Sequence, residues 1–186
     1  NEILNIHNGT TIQYNPSDRF NGILTHLGKG NASKAFDNKI INLTASSIYN
    51  NNDSRYQPRV VLNQTNTENF HSKSEPNSWL CVDFNSYRVK PSHYSIKSNG
   101  WGGKGYYHPR SWDIDGSNDN KNWDPLDSRR NETCLDDQAV SNTFEVRNQK
   151  NNQKYYRYLR IMQKDKNTAN NYCLIIGSLE FFGQFV

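Results

Sequence analysis

After residue 40, apolar side chains recur at alternate positions, the period of strands with one face on a core. Trp79–Phe84 sets Leu80, Val82 and Phe84 on one side, His93–Ser98 sets Tyr94 and Ile96 together, and Ser111–Gly116 sets Trp112 and Ile114 opposite Asp113 and Asp115. The polar cluster from Gly116 to Asn122 is a turn, after which Trp123 restarts an apolar run. Further strands are predicted at Ile40–Ile48, at Thr143–Val146 and, apolar on both faces, at Tyr155–Gln163. Cys173–Phe182 is the last, with Gly177 as a bulge or bend. Arg59–Asn63 adds an apolar run, and Thr65–Pro76 reads as a loop anchored by Phe70. Many short strands with few helical stretches predict an all-β sandwich or barrel.

Residues 1–40 break this pattern. Phe20, Ile23, Leu24 and Leu27 fall at i, i+3, i+4 and i+7, which predicts a short helix capped at Ser17 or Asp18 and stopped at Gly28. Gly22 weakens it. This part is expected to be an N-terminal extension, a linker or the tail of an upstream domain, with the sandwich over residues 41–186.

Composition changes the picture in three places. Asparagine supplies 28 of 186 residues, which favours turns. It also makes the six N-x-[ST] sequons, at Asn8, Asn31, Asn42, Asn52, Asn63 and Asn131, close to what chance gives. A net charge of only +4 and an aromatic content of 12% oppose disorder. Three cysteines, Cys81, Cys134 and Cys173, have no C-x-x-C spacing, so they predict neither a zinc site nor a disulfide framework. Cys81 and Cys173 read as buried apolar groups, and the set leans towards an intracellular protein, with one disulfide as the secreted alternative. No apolar run reaches membrane-span length, and no signal peptide is visible in a sequence that begins at Asn1 and reads as a fragment or processed piece.

Four motifs in order resemble one family. Ser78-Trp-Leu-Cys-Val-Asp-Phe84 resembles a "W-hydrophobic-x-V-D-L/F" strand, and Ser111 to Trp123 resembles a "Y-x-I-x-x-S-x-D-G-x-x-W" hairpin. Tyr156–Ile161 resembles "R-Y-hydrophobic-R-I", and Ser178–Gly183 resembles the closing "E-hydrophobic-x-x-G". These are the motifs of discoidin domains, also called coagulation factor 5/8 type C domains. The resemblance implies a jelly-roll β-sandwich of the galactose-binding type with about eight main antiparallel strands. The wording is most similar to the intracellular branch that follows BTB and BACK domains, and the terminal cysteine pair of secreted members is missing. Asp83 and Arg160 occupy positions that the resemblance makes structural charge contacts, so a pair between them is expected. Many relatives bind Ca²⁺ through an Asp-rich loop and a late-strand Glu. Here the matching loop offers Asn63, Thr65 and Glu68, and the strand offers Glu180, a carboxylate-poor set that predicts no cofactor, with a structural Ca²⁺ as the alternative.

Gly100-Trp-Gly-Gly-Lys-Gly105 spells G-x-G-x-x-G, but no helix follows it, so no dinucleotide fingerprint is formed. The glycines instead let a loop project Trp101, Tyr106 and Tyr107, with His108 and Arg110 as oriented donors. This loop is the leading recognition site, and Asn170, Asn171 and Tyr172 form a second polar-aromatic loop. Asp119 reads as a turn residue. Seven basic residues lie between Arg147 and Lys166 against the single acid Asp165, a face that reads as solvated loops and makes nucleic acid an unlikely partner. No hydrolase, zincin or P-loop motif is present, and the histidines have no ligand spacing. The sequence therefore predicts a non-enzymatic protein-interaction module in an intracellular adaptor or cytoskeletal scaffold. The alternative is a galactose-type glycan-binding module.

Overall fold

A computed structural model describes residues 9–65, 67–148 and 153–186. Among them, ten antiparallel strands build two five-stranded sheets. One sheet runs β1 (Thr10–Ile12), β10 (Ile175–Phe185), β5 (Val89–Ser98), β8 (Ser141–Glu145), with β3 (Phe70–His71) also pairing with β10. The other runs β2 (Asn42–Ala45), β4 (Trp79–Asp83), β9 (Tyr158–Gln163), β6 (Trp112–Ser117), β7 (Asp124–Arg129). This is the expected all-β jelly-roll sandwich. The strands beyond eight are the short β1 and β3, whose three and two residues carry too little alternation to be read.

Alternation decides the core. Leu80, Val82, Phe84, Tyr94, Ile96, Trp112 and Ile114 are all fully buried. Strand β9 is not apolar on both faces: Leu159, Ile161 and Gln163 point in, while Tyr158, Arg160 and Met162 stay half-exposed. A buried polar chain joins the sheets. Trp112 Nε1 donates to Tyr94 Oη at 2.9 Å, and Tyr94 Oη donates to Asp127 Oδ2 at 2.6 Å. Arg129 and Arg147 close the remaining valences of Asp127 at 2.7 and 3.0 Å. Burial pushes the Asp127 carboxyl up, but these donors outweigh it and hold it below the usual range.

The basic stretch is largely neutralised by carboxylates. Arg147, Lys154, Arg157 and Arg160 pair with Asp127, Asp124, Asp83 and Asp115. Lys150 lies outside the described residues. The expected Asp83–Arg160 pair does not form, because the register sets Arg160 opposite Cys81 and Tyr158 opposite Asp83. Asp83 takes Arg157 at 2.8 Å instead, and Arg160 takes Asp115 at 3.0 Å while lying 3.9 Å over the Trp123 ring. Gly177 does mark a register shift in β10. Val60–Leu62 belong to a 3₁₀ turn over Pro58–Leu62, where Pro58 fixes the first position. Cys81 and Cys173 are buried free thiols, Cys134 is exposed, and burial pushes Cys81 up to about 12.

Residues 9–40 pack on the sandwich. Helix α1 (Ile23–Leu27) is shorter than the periodicity suggests, yet Phe20, Ile23, Leu24 and Leu27 are all buried. It begins after Gly22, an extended N-cap residue where any Cβ would run into the Phe181 carbonyl and the Glu180 side chain. Gly28 ends α1 with φ near −86° and faces Asn31, while Lys29 takes the left-handed turn at φ 53°. A second helix, α2 (Ala32–Asp37), is N-capped by Asn31, whose side chain accepts from Ser33 N at 3.0 Å.

Glu180 fastens α1 to β10. Its Oε1 accepts from Leu24 N and Phe181 N, each at 2.8 Å. Its Oε2 accepts from Thr25 N at 3.0 Å and from Thr25 Oγ1 at 2.8 Å. Burial nevertheless pushes this carboxyl from 4.5 to about 7. A carboxyl with a folded value above its unfolded one adds stability below the unfolded value and loses it as pH rises through the folded one. The span is worth about 3 kcal/mol. Thermal unfolding should therefore show the domain gaining stability as pH falls from 8 to 5, with a flatter profile in Glu180→Gln. An unchanged slope in the variant would assign the pH dependence elsewhere.

Candidate recognition site

The start of β10 and the loops around it carry the exposed rings. Pairing of Ile175 with His71 brings β3 there, and Tyr49 N donates to His71 O at 2.8 Å, which draws in the loop after β2. Asp53 caps the next turn by accepting from Arg55 N and pairs with the Arg55 guanidinium at 2.7 Å, which sets Tyr56. Four rings meet as a result. His71 lies 4.5 Å from Tyr49 and 6.1 Å from Trp101, tilted 34° and 40° to them. Tyr56 stands nearly perpendicular to all three, at 84°, 78° and 88°. Tyr49 is 57% exposed and Trp101 40%. These separations are ring-to-ring contacts, so the cluster is a continuous surface and not a cage around a cavity.

The loop bearing Trp101 is braced by buried amides. Asn99 Oδ1 accepts from Trp101 N at 2.9 Å and its Nδ2 donates to Tyr106 O at 2.7 Å. Asn69 Oδ1 accepts from Gly100 N at 3.0 Å. Tyr106 covers Gly102 and meets Tyr107 edge-on at 5.0 Å, and Tyr107 sits at φ 60°.

His108 corrects an expectation. It is fully buried, and its Nε2 lies 3.0 and 2.9 Å from the carbonyls of Gly102 and Gly103. Carbonyls only accept, so Nε2 carries the proton and His108 secures the loop; it is not a donor to ligand. Its backbone exchanges hydrogen bonds with Thr168, tying this loop to the one holding Asn170, Asn171 and Tyr172. There, buried Asn167 bonds to Asn171 and Ala169, so Asn171 is a loop brace, while Asn170 is exposed at φ 62°. Tyr172 is half-buried with Lys166 Nζ 5.8 Å over its ring, and Arg110 is exposed. Tyr49, Tyr56 and His71 escaped the sequence reading. The available signal was the Tyr-Asn-Asn-Asn-Asp-Ser-Arg-Tyr turn of residues 49–56, bracketed by two tyrosines.

On His71, burial lowers the imidazole pKa, partly offset by the Nδ1 bond to Ser72 O at 2.7 Å. That bond places the proton on Nδ1 and leaves Nε2 as an acceptor in the neutral ring. The donors for Ca²⁺ do not fit. Glu180 spends both oxygens on α1, and Asn63 Oδ1 accepts from Thr65 N and Oγ1 at 3.1 and 3.0 Å. Among the described residues no three His, Cys, Asp or Glu side chains group as metal ligands.

The F5/8 type C domain model matches residues 42–177. The chain belongs to the F5/8 type C family. Among solved structures it resembles CpGH89CBM32-5 from Clostridium perfringens in complex with GalNAc-beta-1,3-galactose. That match has a TM-score of 0.59 and 10% identity, over 77% of this chain and 96% of that one. The family 32 CBM from C. perfringens NanJ, in complex with galactose, gives a TM-score of 0.56 at 12% identity, over 80% and 95%. At such identities the likeness is one of fold. A Drosophila melanogaster relative, E3 ubiquitin-protein ligase Ufd4, is 24% identical over 63% of this chain, which spans only 4% of that protein's length. Helices α1 and α2 of this family member lie outside the matched region.

The bracing of the loop yields a direct test. His108→Ala should cost about 1–3 kcal/mol, because a fully buried ring is lost and the Gly102 and Gly103 carbonyls lose their donor. Hydrogen exchange at the Trp101 and Tyr106 amides, which bond to Asn99 Oδ1 and to the Gly103 carbonyl, should accelerate. Unchanged exchange would show that the loop is held without His108.

Proposed function

We propose that this domain is a non-catalytic binding module that takes a glycan on the ring surface formed by Tyr49, His71 and Trp101. One observation carries the reading: two exposed aromatic faces flank a half-buried imidazole, on loops whose backbone is already fixed by Asn69, Asn99 and His108. The apolar C–H face of a sugar ring stacks on such a surface, and its hydroxyls need nearby polar groups. His71 Nε2 and the Asp53–Arg55 pair supply them. Fixed loops reduce the ordering cost of binding. The sugar complexes of the two fold relatives support this class of ligand. Binding without turnover is the activity this reading assigns, in keeping with the carbohydrate-binding modules that share the fold.

A second reading is a protein partner in a cytoplasmic or cytoskeletal scaffold, as the BTB/BACK-like wording suggests. Its support is the similarity to Ufd4. The same rings would then receive an apolar or proline-bearing segment.

Glycan-array screening followed by tryptophan-fluorescence titration separates the two. Saturable sugar binding should weaken at least tenfold in Trp101→Ala, about 1.4 kcal/mol or more. The exposed ring can be removed without unfolding the domain. Absence of any sugar binding, or binding untouched in Trp101→Ala, would sink the glycan reading on this surface.

A further inference from the structure

We infer that a second ligand site lies where the N-terminal helices meet the sandwich, and that it takes a neutral polyhydroxylated ligand, a saccharide unit. A cleft of about 620 Å³ opens between residues 18–33 and the loop 62–65. That volume falls within the range of small-molecule sites. Its floor is Phe20, Thr25, Ala32 and Leu62, all buried. Its walls are the polar side chains of Asp18, Asn21, Asn31, Asn63 and Gln64.

These wall groups have hydrogen-bonding capacity left over. The Asn31 and Asn63 oxygens are used locally, by Ser33 and Thr65, and Gln64 Nε2 donates to Phe20 O at 2.6 Å. The amide nitrogens of Asn31 and Asn63, the side chain of Asn21, Gln64 Oε1 and the Asp18 carboxylate have no hydrogen-bond partner among the described residues. The wall thus offers both free donors and free acceptors, which suits vicinal hydroxyls that both give and take. Charge selects further. No Lys or Arg lines the cleft, Asp18 is on its wall, and Glu180 lies beneath the floor with Thr25 Oγ1 2.8 Å away. An anionic ligand would meet the Asp18 carboxylate, while the Lys97 ammonium behind the 62–65 loop is engaged by the Gln64 carbonyl at 2.7 Å. The aromatic ring that lines it, Phe20, is buried in the floor, so hydrogen bonds would dominate its recognition, in contrast to the exposed rings around Trp101. Its helical side lies outside the region matched by the family model.

The test is a nuclear magnetic resonance titration of the ¹⁵N-labelled chain with lactose, and in parallel with glucuronate. Lactose should shift the amides of Asn21, Gly30 and Gln64, and should still do so in Trp101→Ala, where the ring surface is disabled. Asp18→Ala/Asn21→Ala removes side chains that make no internal hydrogen bonds and should weaken the cleft response about tenfold. Asn21→Trp, which fills the mouth, should abolish it. Glucuronate should leave the cleft amides in place. Shifts confined to Gly100–Tyr107, no shifts at the cleft, or glucuronate binding there as well as lactose would each overturn the inference. The Trp101→Ala arm keeps this outcome separate from failure of the ring surface.

Discussion

Glu180 is a fully buried carboxylate whose every acceptor position is taken by a donor of α1 or of its own strand. A buried carboxyl of this kind is tolerated only when it is hydrogen-bonded, so the acid and the donors of α1 depend on each other and hold α1 against β10. This constraint welds residues 20–28 to the sandwich and explains why Gly22 must be glycine. It shapes the cleft between α1, α2 and the 62–65 loop, because Thr25 bonds to Glu180 and forms the cleft floor. The same residue excludes a cation there by spending its oxygens on amides.

Strand β10 then relates the two ends of the molecule. Its first residues pair with β3 and so fix His71, and its last residues lie beside Gly9. Eleven residues of strand span roughly 34 Å, so the ring surface stands at the pole opposite the Gly9–Val186 contact. The sandwich between these poles is stiff, with the Trp112–Tyr94–Asp127 chain crossing from sheet to sheet and Phe144 stacked 5.3 Å from Tyr94. Rigidity at the recognition end follows from buried asparagines. They replace backbone pairing in loops that form no sheet, and they give the high asparagine content a structural use at Asn69, Asn99 and Asn167.

Alternation made the strands readable because one face of each is buried, so period two is enforced by the core. The family motifs were readable for the same reason: Trp79, Val82, Trp112 and Ile114 are packing positions. Strand pairing partners were not readable. The Asp83–Arg160 expectation failed because a register offset decides which arginine faces which aspartate, and register is set by distant contacts. Trp101 was legible as an exposed ring because glycines surround it. His108 was misassigned because nothing local distinguishes a histidine that braces its own loop from one that faces ligand. Tyr49 and Tyr56 come from the loop after β2 and its 3₁₀ turn and His71 from β3, and only the β3–β10 pairing brings them to Trp101.

The central claim is that ligand binds against the rings at the start of β10. A crystal structure with the glycan that binds most tightly in solution tests it most directly. The account predicts a pyranose ring stacked on the exposed face of Trp101 or Tyr49, with a hydroxyl at His71 Nε2. A ligand seated only against Tyr106, Arg110 and Tyr172, with the Tyr49–His71–Trp101 surface bare, would contradict it.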